Sequence, residues 1–230
     1  MIQENLAFVK NKIHDACQES KRKETEITLI AVSKTKPLSM LEVAYQCGCR
    51  DFGENKVQEL LEKEEALPKD IRWHMIGHLQ RNKVKYIIGK TALIHSVDSV
   101  RLAQEISKEA GKKEITVSIL IEVNIGSEES KYGVAPEQAE ELVREISQLP
   151  YLKIEGFMAV APYTEDAESN RQYFERLRDL SVDIKSKNID NVYMNVLSMG
   201  MSGDYAVAIQ EGATMVRVGT GIFGERDYQI

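Results

Sequence analysis

No stretch of this chain is apolar for the roughly 20 residues that a membrane-crossing helix needs. Residues Met1 to Lys12 carry acidic and polar side chains early and lack the apolar core of a signal segment. Cysteine is scarce. Cys17, Cys47 and Cys49 are few and odd in number, which argues against a disulfide framework. Cys47-Gly48-Cys49 has no partner pair, so it reads as an ordinary helix end and not as a metal site. Charge of one sign never accumulates: the formal net charge is −6, acidic and basic residues are interspersed, and the longest basic cluster, Lys21-Arg22-Lys23, lies in a connector. A nucleic-acid arm, a membrane anchor and a secreted scaffold are disfavoured together, and the expectation is a soluble, cytoplasmic protein. There is also no linker and no low-complexity segment.

What is present is a single rhythm. Short β-rich runs alternate with amphipathic stretches. The candidate strands are Ile27–Lys34, Asp51–Asn55, Arg72–Leu79, Ala92–Asp98, Thr116–Ile125, Lys153–Pro162, Val192–Met199 and Met215–Gly219. Helical patterns lie between them, as at Ser39–Gly48, Val57–Ala66, Val100–Ala110, Pro136–Gln148 and Ala167–Lys187. Strands alternating with helices imply a parallel sheet. An open doubly wound sheet is one arrangement. Eight units in succession leave no obvious edge strand, which favours the other, a closed (β/α)8 barrel forming one domain over residues 1–230. An extra N-terminal helix over Gln3–Ser20, with Leu6, Val9, Ile13, Ala16 and Cys17 at helical spacing, is expected to plug the bottom of the barrel.

In such a barrel, chemistry collects at the C-terminal ends of the strands. The first candidate strand ends at Lys34. A lysine closing an apolar strand either faces a charged or wet pocket, where its amine can be activated as a nucleophile, or snorkels out of the barrel mouth. After the second strand, Asn55 can bond a ligand, cap the next helix, or both. His74 and His78 have a zinc-like spacing, but Met75 stands where the catalytic Glu of a zinc helix belongs. His78, at the strand's end, is a candidate pocket residue, whereas His74 and His95 read as core or supporting groups. Leu197-Ser198-Met199-Gly200-Met201-Ser202-Gly203-Asp204 and Val216-Arg217-Val218-Gly219-Thr220-Gly221 supply two Gly/Ser loops in successive units. These are the positions where many barrels bind phosphate. Gly219 to Gly224 matches a dinucleotide fingerprint, and Gly89-Lys90-Thr91 a P-loop ending. The first lacks a following βαβ unit and the second an earlier glycine.

Together these segments resemble a known family, the pyridoxal 5′-phosphate (PLP)-binding homeostasis proteins of the YggS/PROSC type. The likeness rests on Val32-Ser33-Lys34-Thr35-Lys36-Pro37, on Phe52 to Glu59, on Trp73 to Lys83, and on His95-Ser96-Val97-Asp98-Ser99. It continues through Ser130-Lys131-Tyr132-Gly133, Ser198 to Asp204 and Val216 to Thr220. The family in turn is similar to the barrel domain of alanine racemase. The resemblance implies a PLP barrel with Lys34 as the Schiff-base lysine and Arg217 facing the pyridine nitrogen. The phosphate is expected on Ser198, Gly200, Ser202, Gly219 and Thr220, with Asn55 and His78 nearby. An arginine keeps its proton and leaves the pyridine nitrogen unprotonated, which makes the ring a weaker electron sink.

The function so implied is PLP homeostasis, as a carrier or buffer serving PLP-dependent acceptor enzymes. The alternative is an amino-acid racemase, which needs acid–base groups on both faces of the substrate carbon. In alanine racemases a tyrosine from an additional β-domain, supplied across a dimer, provides the second. No room for that domain is expected after the eighth strand, no position is assigned to Tyr132, Tyr163 or Tyr205, and Met158 offers no proton. Binding without significant catalysis, by a monomer, is therefore the expectation.

Overall fold

The computed structural model describes residues 1–128 and 131–225. Ser130, part of one resemblance segment, lies outside them. The strands are β1 (Thr28–Val32), β2 (Asp51–Glu54), β3 (Arg72–Met75), β4 (Leu93–Val97), β5 (Val117–Glu122), β6 (Leu152–Met158), β7 (Val192–Ser198) and β8 (Met215–Val218). Each pairs in parallel with the next, and β1 pairs with β8 in the register Thr28↔Met215 to Ala31↔Val218, closing the barrel. The expected (β/α)8 architecture is therefore what the chain adopts.

Helix α1 (Ile2–Glu19) leads. Then α2 (Leu38–Gln46), α3 (Val57–Ala66), α4 (Val84–Ile87), α5 (Val100–Gly111), α6 (Ala139–Ser147), α7 (Arg171–Ser186), α8 (Tyr205–Gln210) and α9 (Thr220–Phe223) follow β1 to β8 in turn. The helices form where apolar residues recur on one face. In α5, Leu102, Ala103, Ile106 and Ala110 are all buried. The main core lies between strands and helices, built of outward-facing residues such as Phe52, Trp73, Ile94 and Val216. Their sequence neighbours turn inward, because side chains alternate along a strand. A second, smaller apolar cluster of Leu93, Leu120 and Met158 lies in the barrel interior, beside buried polar groups such as His74, His95, Ser198 and Arg217.

Two expectations change. The strands stop earlier than their apolar runs suggest: β1 ends at Val32, β3 at Met75, β5 at Glu122 and β6 at Met158. One residue beyond those ends a bond to the neighbouring strand persists, as from Ser33 N–H to the Gly53 carbonyl, and then turns take over, as with Lys36 N–H to the Ser33 carbonyl. Nor does α1 plug the barrel. Its stripe of Leu6, Val9, Ile13, Ala16 and Cys17 packs against α8, α9 and α2, and Asn5 donates to the Ile222 carbonyl. The four-residue α9 and six-residue α8 leave the outer ring thin beside β8 and β1, and α1 fills that place. Burying its large apolar side chains contributes roughly 1.5–3 kcal/mol each.

Candidate functional site

At the C-terminal end of the strands is a cavity of about 620 Å3. Lys34, Asn55, Arg217, Ser202, Gly219 and Thr220 line it, with Val32, Ile76 and Val160 as apolar wall. Lys34 lies in the turn just past β1 and is half-buried. Both its neighbours are tied down. Ser33 donates its hydroxyl to Glu54 Oε1 at 2.6 Å, and Thr35 N–H donates to Glu59 Oε2 at 2.6 Å. Beneath them Lys63 Nζ bonds the Ser33 carbonyl at 2.8 Å and Glu54 Oε1 at 2.7 Å, all inside the protein. Burial raises the Glu54 carboxyl above its ordinary range although Lys63 pulls it down. Lys36 Nζ is engaged elsewhere, on the carbonyls of Phe223, Gly224 and Glu225.

Asn55 follows β2 directly. Its backbone is so close to Gly77 that a Cβ there would lie 2.5 Å from the Asn55 carbonyl oxygen, so only glycine lets the ends of β2 and β3 approach this way.

Arg217, on β8, is buried at the cavity's inner side. Nη1 donates to Ser198 Oγ at 2.7 Å and Nη2 to the Ala159 carbonyl at 2.8 Å. Burial pushes its pKa down to about 10, opposed by the charges of Glu122 and Asp204, so it stays cationic at neutral pH. Glu122, at the end of β5, is pushed up to about 7 by burial and by the charge of Asp98, against the pull of Arg217.

The loops after β7 and β8 meet through Ser202, whose Oγ accepts from Gly219 N–H and Gly221 N–H, both at 3.2 Å. Asp204 holds the first loop by accepting from Met201 N–H at 2.7 Å and from Asn170 at 2.8 Å.

The residues singled out from the sequence divide accordingly. Lys34, Asn55, Ser202, Arg217, Gly219 and Thr220 converge on the cavity. Ser198 lies beneath it, its hydroxyl held by Arg217 and His95. Gly200 is also buried: a Cβ there would meet Ala208 at 2.6 Å, and its carbonyl accepts from Arg217 N–H. His78 is displaced sideways into an adjoining cavity of about 510 Å3 that shares Asn55. There its ring stacks on Tyr132 at 4.1 Å. Tyr163, which had no assigned place, lines the Lys34 cavity from a position almost wholly open to solvent. Tyr205 is buried and its hydroxyl has no partner among the described residues, and Met158 is in the interior cluster. The Glu54–Lys63 pair was missed. Its one sequence signal was the spacing of Glu59 and Lys63 on a helix face.

The chain is similar to known proteins in both sequence and fold. The family model described as the alanine racemase N-terminal domain matches residues 5–227. A pyridoxal phosphate homeostasis protein of Aquifex aeolicus is 48% identical over 226 residues, 98% of each chain. PipY of Synechococcus elongatus, solved with PLP bound, is 32% identical with a TM-score of 0.83, over 97% of this chain and all of the other. Alanine racemase of Clostridium difficile shares the fold, with a TM-score of 0.75 at 16% identity. It matches 98% of this chain but 58% of its own.

Proposed function

The chain belongs to the pyridoxal phosphate homeostasis proteins, within the alanine racemase N-terminal domain family, and from that premise we propose that it binds PLP as a Schiff base on Lys34 and acts as a carrier or buffer of the cofactor. One observation carries the reading: an amine, a buried guanidinium and a hydroxyl- and N–H-rich double loop face a single cavity. This donor set fits the group, since PLP offers an aldehyde, a pyridine nitrogen and a phosphate dianion at separate corners of one ring. When bound, PLP supplies an electrophilic carbon and an electron-withdrawing ring. Lys34 holds the aldehyde side, with its turn fixed by Glu54 and Glu59. Arg217 faces the ring nitrogen as a cation that does not give up its proton near neutral pH. Ser202, Gly219 and Thr220 hold the phosphate through short hydroxyls and backbone N–H groups, which fix an anion's position better than a mobile lysine does. Ser198 and Gly200 support that site from below. His78 lines the adjoining cavity and is given no role in this set.

Borohydride reduction of the purified, PLP-loaded protein followed by peptide mass mapping tests the assignment. The reduced adduct is expected on Lys34, with loss of the visible absorbance band in Lys34→Ala. An adduct on Lys36, or a band that survives Lys34→Ala, overturns it.

Racemisation stays as the second reading because Tyr163 lines the cavity. Its exposure and its lack of a hydrogen-bond partner among the described residues weigh against a positioned acid–base group. Removing a general acid–base partner costs about two to four orders of magnitude in rate. Solvent deuterium exchange at the α-carbon of L- and D-alanine should therefore be negligible with the loaded protein. Exchange at enzyme-like rates, lost in both Lys34→Ala and Tyr163→Phe, establishes the racemase instead.

A further inference from the structure

Five buried polar side chains from five strands join end to end across the barrel interior. Asp51 stands at the start of β2, where Arg72 Nε donates to it at 2.8 Å. His74 Nε2 lies 3.0 Å from Asp51 Oδ1, and His74 Nδ1 lies 2.9 Å from His95 Nε2. His95 Nδ1 lies 2.9 Å from Ser198 Oγ, which accepts from Arg217 at 2.7 Å. The line runs from the N-terminal rim of the barrel to the floor of the Lys34 cavity. We infer that Asp51, His74, His95 and Ser198 form a one-way hydrogen-bonded chain that positions the Arg217 guanidinium. The inference takes Arg217 as the cofactor-facing arginine of the reading above.

The direction follows from counting donors. Arg217 can only donate, so Ser198 Oγ accepts from it, and the serine's own hydrogen is left for His95 Nδ1. His95 then carries its hydrogen on Nε2 and donates to His74 Nδ1. His74 carries its hydrogen on Nε2 and donates to the Asp51 carboxylate. Each link has one donor and one acceptor, and both rings are neutral. The opposite direction puts a hydrogen on His95 Nδ1, leaves the Ser198 hydrogen without an acceptor, and requires His74 to be doubly protonated to avoid turning a lone pair on Asp51. Burial, with the charge of Arg217 adding to it, holds His95 well below the ordinary imidazole range, which suits a neutral ring. The consequence is mechanical. Ser198 cannot rotate its lone pairs away from Arg217 while the chain is intact. Together with the Ala159 carbonyl it clamps two of the five guanidinium N–H groups, aiming the rest.

The test uses imidazole and guanidinium nitrogen NMR of the full-length, cofactor-free protein, so it reads the chain whether or not PLP binds. Both His74 and His95 should show a bare Nδ1 and a protonated Nε2. A hydrogen on Nδ1 of either ring overturns the inference, and this needs no variant to fold. In His74→Leu, hydrogen exchange of the Arg217 side chain should quicken about ten-fold, the value of one lost hydrogen bond. In His74→Gln, whose amide can accept from His95 and donate to Asp51, it should stay near wild type. Unchanged exchange in His74→Leu, or equal quickening in both, counts against positioning. PLP release measured on the same proteins should follow the same order, about ten-fold faster for Leu only. If wild type fails to hold PLP while the nitrogen signals are as stated, the functional reading fails and the chain stands.

Discussion

Lys63 is a cation that the protein has enclosed. It meets Glu54 inside the protein and Glu59 nearer the surface, and it bonds the backbone of Ser33. Exchanging it for a residue of similar length without charge leaves Glu54 buried and uncompensated, the costly way to break such a pair. Lys63→Met should lose about 3–5 kcal/mol in urea unfolding at neutral pH. Lys108→Met, whose ion pair with Glu105 is largely exposed, should lose under about 1 kcal/mol. Lys63→Met should also loosen the Lys34 turn, read as faster exchange of the Thr35 amide that Glu59 holds. A Lys63→Met protein as stable as the Lys108 control removes this account of how Lys34 is supported.

Among the elements, the tightest joint is between β6 and β7. Gly156 in β6 faces Val196 in β7, and a Cβ added to it would lie 1.8 Å from the Val196 carbonyl oxygen. Backbone cannot give way as a side-chain tip can, so Gly156→Ala has to push β7, and Ser198 with it, away from β6. A loss of about 3 kcal/mol or more is expected from overpacking at such a site, with lowered thermal midpoint and easier proteolysis of the loop after β7. A stable variant means the strands adjust more freely than their register implies. The alternation of strands and helices was legible because each element carries its own period in its own residues. Where α1 docks was not, because its stripe says only that one face is buried and is silent on what covers it. Strand ends were read too long for a related reason: apolar runs continue into the loops that wall the cavity, as Ile76 and Val160 do. Lys34, Arg217 and the paired loops were readable from their place at strand ends. The depth of Ser198 was not legible, because inward side chains alternate in depth as well as direction, and a serine one layer down looks the same in sequence as one at the surface. Tyr163 was left unplaced because its loop carries no periodic signal at all.

For the molecule as a whole, Glu122 sets a pH dependence. Its carboxyl binds a proton more tightly folded than unfolded, with a folded pKa of about 7 against an ordinary 4.5. Its contribution is complete below the unfolded value and is lost as pH rises through 7. The difference amounts to roughly 3 kcal/mol once the group is forced to ionise in place. Glu122→Gln keeps the shape without the titration, so the variant should gain stability on wild type between pH 5 and pH 8 by about that amount. Paired denaturant curves at the two pH values measure it, and a constant difference between the two proteins means Glu122 ionises freely. The ring of helices has its own consequence. Helix α1 is made well before α8 and α9, yet it docks on them, and the Asn5–Ile222 bond spans 217 positions. At about 5–20 residues per second, translation leaves that helix waiting roughly 10–40 s for its partners to emerge from the ribosome. A helix made well before α8 and α9 is thus latched only after they have been made, and until then its apolar stripe lacks the two elements that cover most of it.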